Sequence, residues 1–155
     1  AHSDGCEMTA DEIIDRVNTL SPDCSMVILT GGEPSLFIDA AFVDRLKRET
    51  GKRVAIETNG TNPLPDNLDW ITVSPKHAPV VIERADEIKV VDVGQPLDCY
   101  FNLGCYRPEM PMFLQPCHVD DEDANRRNVA QTVERVMSDP RWRLSLQTHR
   151  LIGIL

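Results

Sequence analysis

The sequence has 155 residues and combines 25 acidic with 16 basic side chains, so its formal net charge is −9. This length suits a single domain, residues 1–155, and a negative field repels phosphate backbones, which argues against a nucleic-acid partner. The five cysteines contain no C-x-x-C pair and no apolar run approaches the about 20 residues of a membrane-spanning helix, so we expect no disulfide framework, no membrane insertion and a reducing, cytoplasmic location.

Helical patterns occur at three places in the chain. Thr9 and Glu12 have the spacing of a capping box, and the apolar residues behind them recur every three or four positions, which predicts a helix over residues 9–20. A second amphipathic segment ends at Gly51, a typical C-terminal cap. A third helix is predicted over residues 121–137, where an acidic first turn suits the helix dipole.

Short apolar runs, typical of strands that are buried on both faces, lie between these helices. They cover residues 26–30, 54–58, 70–74, 87–91, 112–115 and 144–148. The connections are long enough for parallel crossovers, although residues 59–69 and 76–86 are rich in proline. We therefore predict an α/β fold whose parallel sheet is curved or barrel-like, with about six strands and three helices. A flat, flavodoxin-like sheet is the alternative.

Polar residues lie at or near the ends of most of these predicted strands. They are Thr30, Glu57, Ser74, Lys89 and Gln115. In the last predicted strand, Ser145, Gln147 and His149 would share one face. Ligands of parallel sheets bind beyond the carboxyl ends of the strands, so this recurrence favours a pocket, although any one of these residues alone is more often structural.

Glu57 has two interpretations. A carboxylate within a buried strand costs several kcal/mol unless it is paired. An ion pair with Lys89 would satisfy the carboxylate within the scaffold, whereas a position beside a ligand would give it a function. His149 is likewise either an ordinary hydrogen-bonding histidine or part of a site. The residues alone leave both alternatives open.

The sharpest local element is Thr30-Gly31-Gly32-Glu33-Pro34. Two glycines at a strand end allow positive φ and a close approach of the backbone to a ligand, and Glu33 can accept hydrogen bonds from an ammonium group. An ordinary strand-to-helix turn is an equal alternative. The element is not a phosphate-binding P-loop, because no Gly-Lys-Ser/Thr follows it.

A zinc site is a weak alternative in the second half of the chain. Cys99, Cys105, Cys117 and His118 are spaced C-x5-C and then C-H, which fits no common zinc pattern. These cysteines are more typical of small core or loop residues.

Taken in order, these elements resemble one family. The Gly-Gly-Glu-Pro element resembles the SAM-binding element of radical S-adenosylmethionine (SAM) enzymes. Its order and spacing relative to Glu-Thr-Asn-Gly, Ser-Pro-Lys, Glu-Ile-Lys-Val-Val, Phe-Leu-Gln-Pro and Arg-Leu-Ser-Leu-Gln-Thr-His are similar to those of the 7-carboxy-7-deazaguanine synthases, over essentially the whole chain. The resemblance implies an incomplete parallel barrel of the radical SAM type, whose first strand and cluster loop we expect ahead of Ala1.

The resemblance also implies the site residues. For SAM they are Gly31, Gly32, Glu33, Ser74, Pro75, Lys76, Gln115, Pro116, Cys117 and His118. For the pterin substrate they are Thr30, Glu57, Gln147, His149 and the C-terminal Leu155. It implies no particular catalytic side chain, because a SAM-derived radical would carry out the hydrogen abstraction.

The reaction implied by the family is the conversion of 6-carboxy-5,6,7,8-tetrahydropterin to 7-carboxy-7-deazaguanine, a precursor of queuosine-type bases, with loss of ammonia. SAM, a [4Fe–4S] cluster and Mg²⁺ would be the cofactors, and the protein would position the reactants. An electron donor such as flavodoxin and a homodimer are further implications.

Two departures from the family pattern set limits on these expectations. The cluster motif C-x3-C-x2-C is absent from the chain, so we expect no metal ligands within it and no activity from this polypeptide alone. The chain ends in Leu155, where the family commonly has proline. Two other functions remain: an activating enzyme for a glycyl-radical protein, which shares Gly-Gly-Glu-Pro, and a non-catalytic SAM- or nucleotide-binding domain.

Overall fold

One parallel sheet organises the protein. The structure, a computed structural model, describes residues 6–76 and 79–154. Within these ranges six strands pair in chain order, and every pairing is parallel. The strands are β1 (Met26–Leu29), β2 (Arg53–Thr58), β3 (Trp70–Val73), β4 (Glu87–Asp92), β5 (Met112–Pro116) and β6 (Trp142–Leu144).

The strand order confirms the predicted α/β fold and rejects the flavodoxin-like alternative. In a flavodoxin-like sheet the strand order reverses near its first strand, and helices then cover both faces. Here the order β1-β2-β3-β4-β5-β6 never reverses, so right-handed crossovers place the connecting segments on one face. Among the described residues β1 and β6 are not paired with each other, and the sheet is not closed.

In the part of the chain that the structure describes, four α-helices accompany the sheet: α1 (Ala10–Leu20), α2 (Ala40–Thr50), α3 (Glu122–Ser138) and the single turn α4 (Thr148–Leu151). Short 3₁₀ turns cover Pro34–Leu36 and Asp98–Asn102. The predicted capping box is present, because Thr9 Oγ1 accepts a hydrogen bond from Glu12 N–H at 3.3 Å and Glu12 Oε2 accepts one from Thr9 N–H at 2.7 Å. Gly51 ends α2 with φ of 69°.

The two faces of the sheet differ in chemistry. One face carries the core, in which Val54, Ile56 and Ile88 are fully buried in one cluster with Val43 and Leu46 of α2. Ile14 of α1 and Val136 of α3 pack into the same cluster. The opposite face, which we call the polar face, carries Glu57, Thr72, Glu87, Lys89 and Gln115, and the strand register places these residues on one side.

The last predicted strand is wrong in extent. Residues 144–148 were expected to be extended, but β6 ends at Leu144 and residues 148–151 form α4. The last ladder bond joins Ser145 N–H to Leu114 C=O at 2.9 Å. Beyond it the chain satisfies its own backbone, since Ile152 N–H donates to Thr148 C=O at 3.1 Å. Gln147 and His149 therefore do not alternate along a strand, and α4 is a fourth helix in addition to the three predicted.

Candidate functional site

The carboxyl ends of the strands form one edge, because all pairings are parallel. Thr30 directly follows β1 and Ser74 directly follows β3. Glu57 and Gln115 are the last residues but one of β2 and β5. Ser74 N–H donates to Thr58 C=O at 2.7 Å, so the pairing of β2 with β3 continues to this edge. The structure thus brings these four predicted residues to the carboxyl edge of the sheet.

The Gly31–Gly32 turn is open to solvent at this edge. Gly31 has φ of +116°, a conformation that side chains rarely adopt, whereas Gly32 lies outside the positive-φ region. A Cβ atom built on either residue would meet no atom within 4 Å. The open space beside the turn is therefore available to a ligand, and the conformational need for glycine belongs to Gly31 alone.

Glu33 bonds to its own chain through both carboxylate oxygens. Oε1 accepts hydrogen bonds from the hydroxyls of Ser35 and Thr58, each at 2.6 Å, and Oε2 accepts one from Asn59 N–H at 2.8 Å. Partial burial opposes ionisation, but the bonds from Ser35, Thr58 and Asn59 outweigh it and lower the pKa of Glu33. The side chain therefore ties the turn after β1 to the end of β2.

Glu57 and Lys89 form an ion pair on the polar face. Lys89 Nζ lies 2.8 Å from Glu57 Oε1, and the pair reaches from β2 to β4 across β3. The side chains remain 41% (Glu57) and 24% (Lys89) exposed, so the carboxylate is not buried as the sequence pattern suggested. Among the described residues, Oε2 of Glu57 has no hydrogen-bond partner. The ion pair therefore engages one carboxylate oxygen and leaves the other without a hydrogen-bond partner among the described residues.

Thr72 and Glu87 belong to the same surface and were missed in the sequence. Thr72 Oγ1 donates to Glu87 Oε1 at 2.9 Å, directly beside the Glu57–Lys89 pair in the strand register. The sequence feature that could have identified this part of the polar face is the alternation of charged and apolar residues in Glu87-Ile88-Lys89-Val90. Such alternation is typical of a strand with one polar face.

A second group of predicted residues meets after β5. Cys117 and His118 line a cavity of about 50 Å³ together with Gln147, Asn125 and Arg150. Gln147, which the family resemblance assigned to the pterin substrate, therefore lies beside the residues assigned to SAM. His149 lies in α4 and is exposed.

Three further predicted SAM residues directly follow β3. Ser74 and Pro75 are half-buried and Lys76 is exposed, directly ahead of the two residues, His77 and Ala78, that lie outside the described ranges. Leu155 also lies outside the described residues, so its predicted substrate contact stays a prediction.

A large cavity opens at the end of β1. Its volume is about 880 Å³, and its lining includes Thr30 together with the apolar side chains of Leu29, Phe37 and Phe42. Phe37 is 85% exposed. This volume lies within the range of small-molecule sites, and it places Thr30 at the margin of an apolar hollow.

The cysteines are dispersed over the described structure. Cys6, Cys24 and Cys99 are exposed, Cys117 is half-buried, and burial raises the pKa of the fully buried Cys105 thiol. In residues 6–76 and 79–154, no three side chains of histidine, cysteine, aspartate or glutamate converge on a position that could hold a metal ion. None of the helices in these ranges is both long enough and apolar enough to cross a bilayer.

Comparisons with known proteins agree on one family. The sequence profile of the Radical SAM superfamily matches residues 2–89. The chain is 51% identical over 154 residues to a 7-carboxy-7-deazaguanine synthase of Bacteroides thetaiotaomicron, covering 99% of this chain and 77% of that protein. It is 44% identical over 136 residues to a synthase of the same name from Bordetella pertussis, covering 83% of this chain and 59% of that protein.

A solved structure shares the fold. The crystal structure of QueE from Escherichia coli superimposes with a TM-score of 0.64 at 27% sequence identity, covering 90% of this chain and 64% of that chain. The chain is therefore shorter than each of these three proteins, and it spans less than two thirds of the last two.

Proposed function

The chain belongs to the 7-carboxy-7-deazaguanine synthase family of the Radical SAM superfamily, and on this basis we propose that it binds SAM and 6-carboxy-5,6,7,8-tetrahydropterin at the carboxyl edge of its sheet. The product of the complete enzyme would be 7-carboxy-7-deazaguanine, formed with loss of ammonia, which makes it a carbon–nitrogen lyase. The observation that carries the proposal is the open Gly31–Gly32 turn beside a polar, partly exposed sheet face.

The SAM half of the site would be built mainly from backbone. Gly32 has open space in front of it, so its peptide groups can meet the methionine part of SAM without a side chain between them. Glu33 is already fully hydrogen-bonded within the chain, so we assign to it the task of holding this turn. The remaining SAM residues would be Gly31, Ser74, Pro75, Lys76, Gln115, Pro116, Cys117 and His118.

The pterin half would use the polar face. Glu57 Oε2 is available to accept hydrogen bonds from pterin N–H groups, while Lys89 holds Oε1 in place. Such charge-assisted bonds contribute about 1.5–3 kcal/mol each. Thr30, His149 and Leu155 stay in this group as predicted, whereas the location of Gln147 beside Cys117 favours a role on the SAM side.

Of the three expected cofactors, the described residues fit SAM, but they provide no binding site for the [4Fe–4S] cluster or for Mg²⁺. When SAM is bound and reductively cleaved, it supplies the radical that removes hydrogen from the substrate, and the residues above would bind and orient it. A [4Fe–4S] cluster requires closely placed thiolates, and the described residues of this chain offer none. In residues 6–76 and 79–154, no three side chains of histidine, cysteine, aspartate or glutamate converge to hold Mg²⁺ by protein groups alone. We therefore assign the ligands of the cluster and of Mg²⁺ to residues other than these.

The remaining predictions follow from family membership. An electron donor such as flavodoxin, a homodimer and a cytoplasmic location stay predictions. The names of the relatives favour the synthase over an activating enzyme for a glycyl-radical protein.

The deciding experiment uses the full-length gene product after anaerobic cluster reconstitution. Incubation with SAM, a reductant and the tetrahydropterin should give 7-carboxy-7-deazaguanine, detected by mass spectrometry. Gly32→Val is the matched control, because it should abolish product while the protein stays folded. Cleavage of SAM without this product would reject the synthase, and iron and sulfide contents near zero would favour a non-catalytic SAM-binding domain.

A further inference from the structure

Helix α3 carries a polar stripe that faces the carboxyl ends of β4 and β5. Asn125, Asn128, Thr132 and Arg135 are spaced three, four and three residues apart, which places them on one side of the helix. Each of them forms a hydrogen bond with a residue that ends a strand or lies within three residues of its end. The stripe therefore connects the helix to the part of the sheet where the site lies.

The first half of the stripe holds the backbone after β5. Asn125 Oδ1 accepts a hydrogen bond from Val119 N–H and Asn125 Nδ2 donates one to Val119 C=O, both at 2.8 Å. Asn128 Nδ2 donates to Cys117 C=O, also at 2.8 Å. The two side-chain amides thus fix two residues of the turn on either side of His118.

These amides take the place of a missing strand neighbour. The pairing of β5 with β6 ends at Leu114, where Leu114 C=O accepts from Ser145 N–H. Among the described residues β6 extends no further, so the backbone beyond Pro116 has no sheet partner on that side. Backbone polar groups that leave a sheet need another partner, and α3 supplies it here.

The second half of the stripe anchors the helix itself. Thr132 Oγ1 donates to Asp92 Oδ2 at 2.9 Å, and Arg135 forms an ion pair with the same carboxylate. The Asp92 side chain is 2% exposed, so this contact is an internal one. Asp92 Oδ1 also accepts from Gly94 N–H at 3.0 Å. The asparagines therefore project from a helix that is fixed against β4.

We propose that Asn125 and Asn128 are positioning residues for SAM, which hold residues 117–119 and thereby keep the predicted SAM-binding residues Cys117 and His118 in their binding conformation. The inference rests on the proposed function, because that function assigns this turn to SAM. A turn that is fixed in advance loses less conformational freedom when the ligand binds, so its affinity is higher. Neither asparagine needs to touch SAM in this role.

The test compares Asn125→Ala and Asn128→Ala in the full-length, cluster-reconstituted enzyme. Each variant should raise the Kd for SAM by about fivefold to tenfold, the effect of losing one or two hydrogen bonds that order the site. The KM for the pterin substrate should stay within twofold of the wild-type value. Asn128→Asp keeps the shape of the side chain but cannot donate to Cys117 C=O and places a negative charge beside it, so the Kd for SAM should rise at least as much as in Asn128→Ala.

Asn67→Ala is the matched control. Asn67 also donates through Nδ2 to a backbone carbonyl, that of Ala40 at 2.9 Å, but it lies ahead of β3, away from the carboxyl edge. Asn67→Ala should lower the melting temperature about as much as the Asn125 and Asn128 variants do, but it should leave the Kd for SAM unchanged. Amide hydrogen exchange without SAM gives a second measurement: the amide of Val119 should exchange faster in Asn125→Ala than in the wild type.

The outcomes separate this inference from the proposed function. A wild-type enzyme that binds no SAM would reject both. Wild-type binding of SAM with a Kd changed less than twofold in both alanine variants would reject the positioning role alone. Faster exchange at Val119 without a change in Kd, or an equal loss of affinity in Asn67→Ala, would also reject it.

Discussion

Lys89 and Glu57 stand two strands apart on the polar face, and their side chains meet at 2.8 Å above β3. The contact engages only Oε1 of the carboxylate. A purely structural ion pair and a ligand-binding carboxylate were alternatives in the sequence, and the geometry is compatible with both roles at once. The lysine fixes the orientation of the carboxylate, and among the described residues the second oxygen has no hydrogen-bond partner.

Glu57→Gln is expected to raise the KM for the pterin substrate about tenfold. The amide carries no charge and replaces one acceptor oxygen by a donor, so the charge-assisted hydrogen bond to the pterin is lost. SAM affinity should change little. The melting temperature should also change little, since ion pairs with this exposure contribute about 0–1 kcal/mol to stability. Steady-state kinetics, calorimetry with SAM and thermal unfolding on one preparation give all three values.

Lys89→Met is the companion variant for this pair. It removes the cation that orients Glu57 and should also raise the KM for the pterin, and the double variant should be less impaired than the two single effects combined. An unchanged KM in Glu57→Gln, together with a clearly lower melting temperature, would assign the pair to the scaffold alone.

Gly31 and Gly32 should respond differently to substitution. Gly32→Val should leave the fold intact, because a Cβ atom at this position has open space around it and the backbone φ is not positive, but it should weaken SAM binding strongly. Gly31→Ala should cost about 1–3 kcal/mol of stability, because its φ of +116° disfavours any side chain. Calorimetric SAM affinities and denaturant unfolding distinguish the two. A Gly32→Val variant that binds SAM within twofold of the wild type would remove Gly32 from the site.

The sheet could be predicted from the sequence because the patterns that indicate its strands and the neighbouring helix ends are local. Apolar runs, the capping box at Thr9 and the cap at Gly51 each depend on neighbouring residues, and the structure confirms them. The end of β6 was not predictable in this way. Residues 145–148 continue the alternation of a strand, but the chain turns into α4 at the edge of the described sheet.

The site was predictable as a set of positions but not as a set of contacts. Parallel pairing brings the strand ends together, so the polar strand-end residues share one edge, and ligand binding at that edge stays a prediction. The partners of Glu33 were not predictable, because Thr58 is 25 residues away and no pattern links the two. The bonds of Asn128 were missed for the same reason: an asparagine on a helix surface usually faces solvent.

This 155-residue polypeptide is expected not to assemble a [4Fe–4S] cluster. Its five cysteines, at positions 6, 24, 99, 105 and 117, include no closely spaced group of three thiolates. Anaerobic reconstitution followed by iron and sulfide analysis and electron paramagnetic resonance measures the outcome, with the full-length gene product as the positive control. A stoichiometric cluster on the short polypeptide would contradict the prediction.

Glu33 gives the protein a pH-dependent contribution to stability. Its folded-state pKa is lowered, because hydrogen bonds from Ser35, Thr58 and Asn59 to the ionised carboxylate outweigh the cost of burial. A group with a lowered folded-state pKa stabilises the fold above its unfolded pKa, which is about 4.3 for glutamate, and this stabilisation is lost as the pH falls through the folded-state pKa. Glu33→Gln should therefore lower the free energy of unfolding by about 1–3 kcal/mol at pH 7.

The difference between Glu33→Gln and the wild type should shrink as the pH falls below about 4.3, where the carboxyl group of the unfolded wild type becomes protonated, and it should be lost once the pH has fallen through the lowered folded-state pKa. Urea unfolding of both proteins between neutral and acid pH measures this difference directly. Glu7→Gln is the control, because Glu7 is exposed. It should show no such convergence. SAM affinity should fall in Glu33→Gln as well, since the Gly31–Gly32 turn loses its tie to β2. A constant difference at all pH values would mean that the ionised form of Glu33 does not hold this turn.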